Sequence, residues 1–191
     1  MTIETNSAPG PGSRRRAAGF TLLELMTALL VVAIVLSAGV PSYLSVVRNN
    51  RAATNANELV SALTTARSEA VRRGDRVSIC RSNDGATCSG AWEDGWIVFV
   101  DAAATDTGAP VVSQVLGIWG APVGEASVVT RSGSADVDIT WVRFLPRGDT
   151  RTTQPFPITY NMEIDDCSGE VARNVEINAV GRTSVTRVTC S

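Results

Sequence analysis

The sequence predicts an α+β protein in which one long N-terminal helix, membrane-spanning in its first half, packs on a C-terminal antiparallel β-sheet head domain. Three observations predict this class: an apolar run over residues 20–40, an apolar stripe of helical period after it, and short β-prone runs after Gly74. One helix followed by consecutive strands is the order of an α+β domain. The 191 residues leave room for one such domain and an appendage.

Residues 1–19 are expected to be a leader peptide and residues 20–40 a transmembrane helix. The leader is rich in Ser, Gly, Pro and Arg and offers no apolar face. The run after it would span ~31 Å as a helix at ~1.5 Å per residue, close to the ~30 Å hydrocarbon thickness of a bilayer. The arginines at 14–16 predict a cytoplasmic start, so the rest of the chain would lie across the membrane.

An ordinary secretory signal, cleaved near "LSA" at residues 36–38, is the alternative interpretation of this region. Two features count against it: the length of the apolar run and the acid Glu24 inside it. A carboxylate near the middle of a bilayer costs roughly 2.5–3.5 kcal/mol on insertion scales, so it indicates a function or a partner.

The stretch from Gly19 through "FTLLE" resembles the prepilin cleavage motif of type IV pilins and pseudopilins. The resemblance implies that a prepilin peptidase cuts after Gly19 and methylates the amine of Phe20. It also implies a role for Glu24 in filament assembly, through pairing of its carboxylate with the Phe20 amine of a neighbouring subunit. Such a pair would be favoured in a filament core of low dielectric, where an unpaired charge is costly.

Residues 41–74 are expected to continue the helix on the far side of the membrane. Pro41 lacks a backbone donor and predicts a kink there. The apolar stripe that follows predicts a helix to about Arg73, with Gly74 as its left-handed cap; its members are Ala52, Ala56, Leu59, Leu63, Ala66 and Ala70. Packing against the chain's own sheet is the favoured interpretation, and a coiled-coil partner is the alternative.

Residues 75–191 are expected to form a β-rich globular head, because short β-prone runs there are separated by turn residues. The predicted strands are Arg76–Cys80, Trp96–Asp101, Ser113–Trp119, Ala126–Arg131, Asp136–Phe144, Pro157–Ile164, Val171–Asn178 and Thr183–Val188. "DVDITWVRF" and "EVARNVEINAV" alternate, which predicts one buried and one exposed face.

Four stretches of this region, "ARSEAVRRGDRVSIC", "WEDGWIVFVD", "FLPRGDT" and "INAVGRT", resemble the GspH/FimT group of minor pilins and pseudopilins. The resemblance implies a minor pilin that helps to initiate a type IV pilus, with other minor and major pilins and an inner-membrane assembly platform as partners. The H-type minor pseudopilin of a type II secretion system is the alternative. The implied location is the inner membrane, in a single pass with the C-terminal domain in the periplasm, and then the filament.

Four cysteines, Cys80, Cys88, Cys167 and Cys190, follow the apolar run. An even number of cysteines beyond a membrane is typical of disulfides in an oxidising compartment. Sequence proximity favours Cys80 with Cys88 and Cys167 with Cys190, although three pairings are possible. A zinc site is disfavoured, because the spacings are wrong and the sequence has no His.

No catalytic residues, cofactor or metal site are predicted, so the chain is not expected to be an enzyme. The absence of His excludes the Ser-His-Asp and Cys-His mechanisms. Asp136 and Asp138 would share a strand face at a spacing compatible with a cation, but exposed acids explain them equally well.

DNA is the remaining candidate ligand, because some FimT-like minor pilins take part in DNA uptake through a C-terminal Gly-Arg-x-Arg element. This chain has "GRTSVTR", in which the second Arg of that element is replaced by Ser184. Arg173, Arg182 and Arg187 could still form a small basic patch. Residues 20–191 contain 14 arginines against 18 acidic residues, a net charge of −4 that disfavours general binding to nucleic acid.

Overall fold

One long helix, α1, runs from Leu22 to Arg73 in the computed structural model, which describes residues 19–191 apart from the side chains at positions 38 and 41. Apart from Gly19, the predicted leader lies outside the described residues. The helix continues through position 41, and the kink expected at Pro41 stays a prediction.

The apolar surface of the N-terminal part of α1 is exposed. Its large apolar side chains up to residue 40 are exposed, for example Leu22 at 76% and Ile34 at 61%. Among the described residues, α1 is the helix whose length and hydropathy fit a membrane span, and none of that window is buried within the chain. In water such a surface would be strongly unfavourable, so it needs lipid or other subunits around it.

The C-terminal part of α1 buries the predicted stripe. Each of its six residues is at most 1% exposed, and five of them belong to the main core together with residues of both sheets. Intramolecular packing is thereby confirmed over the coiled-coil alternative. The helix ends as predicted: Gly74 has φ +67° and its N–H donates to the Ala70 carbonyl at 3.0 Å.

The head contains two five-stranded antiparallel sheets. Sheet A has the order β3-β2-β1-β6-β7, made of β1 (Val77–Arg81), β2 (Trp96–Asp101), β3 (Val112–Trp119), β6 (Trp141–Phe144) and β7 (Thr150–Arg151). Sheet B has the order β10-β9-β8-β4-β5, made of β4 (Ser127–Ser132), β5 (Ala135–Asp136), β8 (Ile158–Glu163), β9 (Ala172–Ile177) and β10 (Thr183–Val188). The predicted α+β class is confirmed.

A short 3-10 helix, Trp92–Asp94, connects the two sheets through side chains. The Trp92 indole N–H donates to the Ile139 carbonyl at 2.6 Å, and its ring lies edge-on to Tyr160, 5.0 Å between centroids. Glu93 accepts the Val128 N–H of β4 at 2.7 Å. This turn therefore fixes sheet B relative to the loop that precedes β2.

The single strand predicted for Asp136–Phe144 is wrong. The chain pairs in sheet B as β5, crosses between the sheets at residues 137–140, and pairs with β1 in sheet A as β6. The crossing buries Ile139 completely. Because the two ends of this run belong to different sheets, its alternation of apolar and polar residues does not describe one strand.

Asp136 and Asp138 do not form the cation site that their spacing would allow. Asp136 pairs with Arg131 at 2.6 Å, and Asp138 pairs with Arg81 at 2.8 Å. Each carboxylate therefore has its own guanidinium. No cluster of His, Cys, Asp and Glu side chains that could hold a metal ion occurs within residues 19–191.

Candidate functional site

The start of α1 holds the residues predicted to act in assembly. Thr21 immediately precedes the helix, and its hydroxyl accepts the backbone N–H of Glu24 at 3.2 Å. Thr-x-x-Glu before an apolar run is the sequence of a capping box, so the backbone of Glu24 helps to begin the helix. Capping and an acid near a helix N-terminus are each stabilising.

The carboxylate of Glu24 takes no part in this hydrogen bond. It lies on the exposed surface of α1, beside a groove that it lines with Phe20, Thr27 and Val31. Within residues 19–191 it forms no ion pair. The capping role therefore uses the amide and leaves the charge available to another molecule.

The three arginines of the predicted basic patch are placed unequally. Arg173 is only 4% exposed, and its guanidinium donates to the carbonyls of Val171 and Ala172 and to the side chain of Asn49. Burial, and secondarily the charge of Arg187, lower the pKa of Arg173. Arg173 is therefore a core residue that connects β9 to α1, and it is removed from the patch.

Arg182 and Arg187 are exposed. Arg187 lies opposite Arg173 in the β9–β10 register, so these two are brought together, but only one of them can reach a ligand. Arg182 follows the turn between β9 and β10, where its backbone N–H donates to the Asn178 side chain at 2.9 Å.

Close packing requires the glycine of "GRT". Gly181 has φ +77°, and a Cβ there would lie 2.2 Å from the Gly148 carbonyl oxygen. The same turn approaches Arg67 of α1, whose guanidinium donates to the Val180 carbonyl at 3.1 Å. Any side chain at position 181 would separate the β9–β10 turn from the loop before β7.

Both disulfides have the pairing that proximity favours. Cys80 is bonded to Cys88 and Cys167 to Cys190, with Cα–Cα distances of 5.5 and 5.7 Å. The first holds the loop after β1, and the second ties the loop after β8 to the segment after β10. Among residues 19–191 there are no free cysteines.

Two buried charged residues were not predicted from the sequence. Asp101 and Arg143 pair at 2.7 Å with both side chains fully buried. Burial opposes the charged form of Asp101, but hydrogen bonds from Ser78, Val111, Arg143 and Ala103 outweigh it and lower the pKa of its carboxyl. A signal was available: an acid in "FVD" and an arginine in "WVRF" interrupt two otherwise apolar runs.

Comparison with known proteins gives two family matches. Residues 55–181 match the family described as type II transport protein GspH, which is more than half of the chain. Residues 14–40 match the prokaryotic N-terminal methylation motif. No curated protein matches the sequence.

The solved structures that are similar to this one include those of two proteins. The type IV minor pilin FimU of Pseudomonas aeruginosa has 20% identity and a TM-score of 0.54, over 72% of this chain and 89% of that one. The minor pseudopilin EpsH of Vibrio cholerae has 11% identity and a TM-score of 0.46, over 73% of this chain and 97% of that one.

Proposed function

The chain belongs to the GspH family and carries the prokaryotic N-terminal methylation motif, and we propose that it is a minor pilin that helps to initiate a type IV pilus. Its family consists of structural subunits, which agrees with the prediction that it is not an enzyme. The proposed parts are a leader (1–19), a membrane and filament-core helix (20–40), its periplasmic half (41–74) and the head (75–191).

The observation that carries the proposal is the exposed carboxylate of Glu24 on a bare apolar helix, directly after Gly19 and Phe20. In the membrane, α1 would hold the subunit in the bilayer through its apolar side chains. In a filament, the same side chains would pack against neighbouring helices, where a charge needs a partner. The amine released on Phe20 of a neighbour is the cation that cleavage would create.

The rival assignment within the family is the H-type minor pseudopilin of a type II secretion system. The likeness to the pilin FimU supports the pilus, whereas the description of the GspH family as a type II transport protein supports secretion. Deleting the gene distinguishes the two: loss of surface pili with normal protein secretion is expected, whereas loss of secretion with normal pili would support the pseudopilin.

Processing is tested on the protein recovered from membranes. N-terminal sequencing and intact mass should give a chain that begins at Phe20 with a methylated amine. A peptidase-deficient strain is the control and should retain the leader. A mature chain that begins at any other residue would remove the basis for the Glu24 pair.

Assembly is tested with Glu24→Val. We expect membrane insertion and cleavage to be unchanged and incorporation into sheared filaments to fall about a hundredfold or more, because breaking a desolvated pair costs about 3–5 kcal/mol. Thr27→Val is the matched control, since it removes a polar group one turn away and no charge. Equal incorporation of the two variants would contradict the pairing.

DNA binding is the second candidate function, and it now depends on Arg182 and Arg187 alone. Full-length protein in detergent should retard duplex DNA at low salt, and Arg182→Ala with Arg187→Ala should abolish the retardation, because phosphate contacts come from exposed cations. Unchanged mobility of the DNA at low salt would exclude this function.

A further inference from the structure

An open cavity of about 420 Å³ lies between the start of the head portion of α1 and two loops of sheet B. Two arginines of the helix, Arg48 and Arg51, line it on one side. Three acids of the loops, Glu125, Asp165 and Asp166, line it on the other. Charges of both signs therefore face one space.

These charges are nearly unpaired. Arg48 and Asp166 form a loose pair at 3.7 Å, with the Asp166 side chain 80% exposed. Among the described residues, Arg51, Glu125 and Asp165 have no ion pair at all. Five charged groups around one cavity thus leave both cationic donors and anionic acceptors free for a ligand.

The walls of the cavity are fixed. The Asp165 N–H donates to the Gly124 carbonyl at 3.4 Å, which connects the two loops. The aliphatic part of Arg51 packs on Gly124, 3.2 Å from where a Cβ would be. The disulfide at Cys167 holds the second loop. The separation of cations from anions is therefore a property of the fold.

This charge pattern selects the ligand class. A simple anion would meet three carboxylates, and a simple cation would meet two guanidinium groups. A zwitterion satisfies both sides: a phosphate accepts charge-assisted hydrogen bonds from arginine, and a primary ammonium donates three to carboxylates. A quaternary ammonium has no N–H to donate.

The position along α1 indicates where such a ligand would come from. Leu44 and Val47 also line the cavity, and Leu44 follows the apolar run by four residues, a rise of about 6 Å. Arg48 and Arg51 are about 12 and 16 Å beyond the run, but helical side chains lean toward the N-terminus and arginines extend toward the interface. The headgroup layer on each side of a bilayer is about 5–8 Å thick.

We propose that this cavity binds the phosphoethanolamine headgroup of a membrane lipid while the subunit is stored in the bilayer. Arg48 and Arg51 hold the phosphate, and Glu125, Asp165 and Asp166 hold the ammonium. The inference rests on the membrane stage of the proposed function. It adds a lipid partner that the subunit must release when it enters a filament.

The test uses the full chain in phosphatidylcholine nanodiscs that contain an equal small fraction of either phosphatidylethanolamine or phosphatidylglycerol. Native mass spectrometry then counts the lipids retained when the discs collapse. We expect phosphatidylethanolamine to be retained about tenfold over phosphatidylcholine, the ratio that corresponds to one or two charge-assisted bonds. Equal retention of all three lipids would overturn the proposal. Retention of phosphatidylglycerol as strong as that of phosphatidylethanolamine would also overturn it.

Variants assign the two halves of the site. Arg48→Gln with Arg51→Gln should lower the retention of phosphatidylethanolamine by removing the phosphate partners, and Asp165→Asn with Asp166→Asn should reduce that retention to the level of phosphatidylcholine. Arg182→Gln with Arg187→Gln is the control and should leave it unchanged. The comparison among lipids uses the unmodified chain, so it tests the lipid preference even if a variant fails to fold.

Three further outcomes separate this inference from others. Retention of glycerophosphoethanolamine from solution, without retention of the lipid, would overturn the lipid assignment. A chain that inserts into the discs but shows no lipid preference would refute the headgroup site alone. A chain that does not insert would refute both the site and the membrane stage of the proposed function.

Discussion

Asp101 and Arg143 form the main buried charge contact of the head. Asp101 ends β2, and its carboxylate also accepts the backbone N–H groups of Ala103 and Val111, each at 2.9 Å. Arg143 donates to three carbonyls of the same loop, for example that of Thr105 at 2.8 Å. The pair therefore closes residues 102–111 over sheet A.

Asp101→Asn should lower the free energy of unfolding by about 3–5 kcal/mol, because it leaves the Arg143 guanidinium buried without its counter-charge. Urea denaturation of the full chain in detergent measures the change. Asp106→Asn is the control: its pair with Arg76 is partly exposed, so the expected loss is under about 1 kcal/mol. Similar losses in both variants would mean that the buried pair stabilises the fold no more than the partly exposed pair does.

The last turns of α1 are stabilised by charge as well as by the core. Glu69 accepts from Arg72 at 2.5 Å and from Arg73 at 2.7 Å. The hydrogen bond from Arg72, followed by that from Arg73, lowers the pKa of Glu69 from 4.5 to about 2. A lowered pKa means that the folded state favours the ionised carboxylate. The stabilisation by Glu69 is therefore fully present above the pKa of the unfolded state and is lost as the pH falls below it.

Glu69→Gln should therefore reduce the melting temperature at neutral pH. The difference from the unmodified chain should shrink as the pH falls from about 4.5 to about 2. Glu58→Gln, on the same helix, is the control and should show a smaller difference at neutral pH. A difference between Glu69→Gln and the unmodified chain that stays constant across this window would contradict the assignment.

Helices and strands differed in how well local sequence predicted them. The strands at Trp96–Asp101 and Thr183–Val188 were predicted with their bounds, because each stays in one sheet along its whole length. The stripe on α1 was predicted because its period is that of the helix itself. The run from Asp136 to Phe144 was not, because strand partners are set by residues far along the chain. The two-residue β7 and the turn at Trp92–Asp94 are too short to produce a periodic signal.

The candidate site was predictable to a similar degree. The motif around Gly19 and Glu24 is local, so its residues could be named from the sequence, and the capping role of Thr21 was readable from the same letters. The burial of Arg173 was also readable, because it alternates in phase with Val175 and Ile177. The pairing of Asp101 with Arg143 was not, because 42 residues separate them.

At the scale of the whole molecule, the two disulfides predict that the head folds in an oxidising compartment. After alkylation without reduction, protein isolated from membranes should carry no adduct on its four cysteines, because each is bonded in the structure. The same sample reduced first is the control and should carry four. Adducts on the unreduced protein would indicate that the head is not in an oxidising compartment.

The two sheets of the head meet where Gly181 approaches the Gly148 carbonyl and where the Thr150 N–H donates to Ala179 at 2.9 Å. This junction needs a residue without a side chain at position 181, whatever the protein binds. The glycine of "GRT" therefore gives no evidence for nucleic-acid binding by this chain, which would depend on the spacing and solvent access of the basic residues after it.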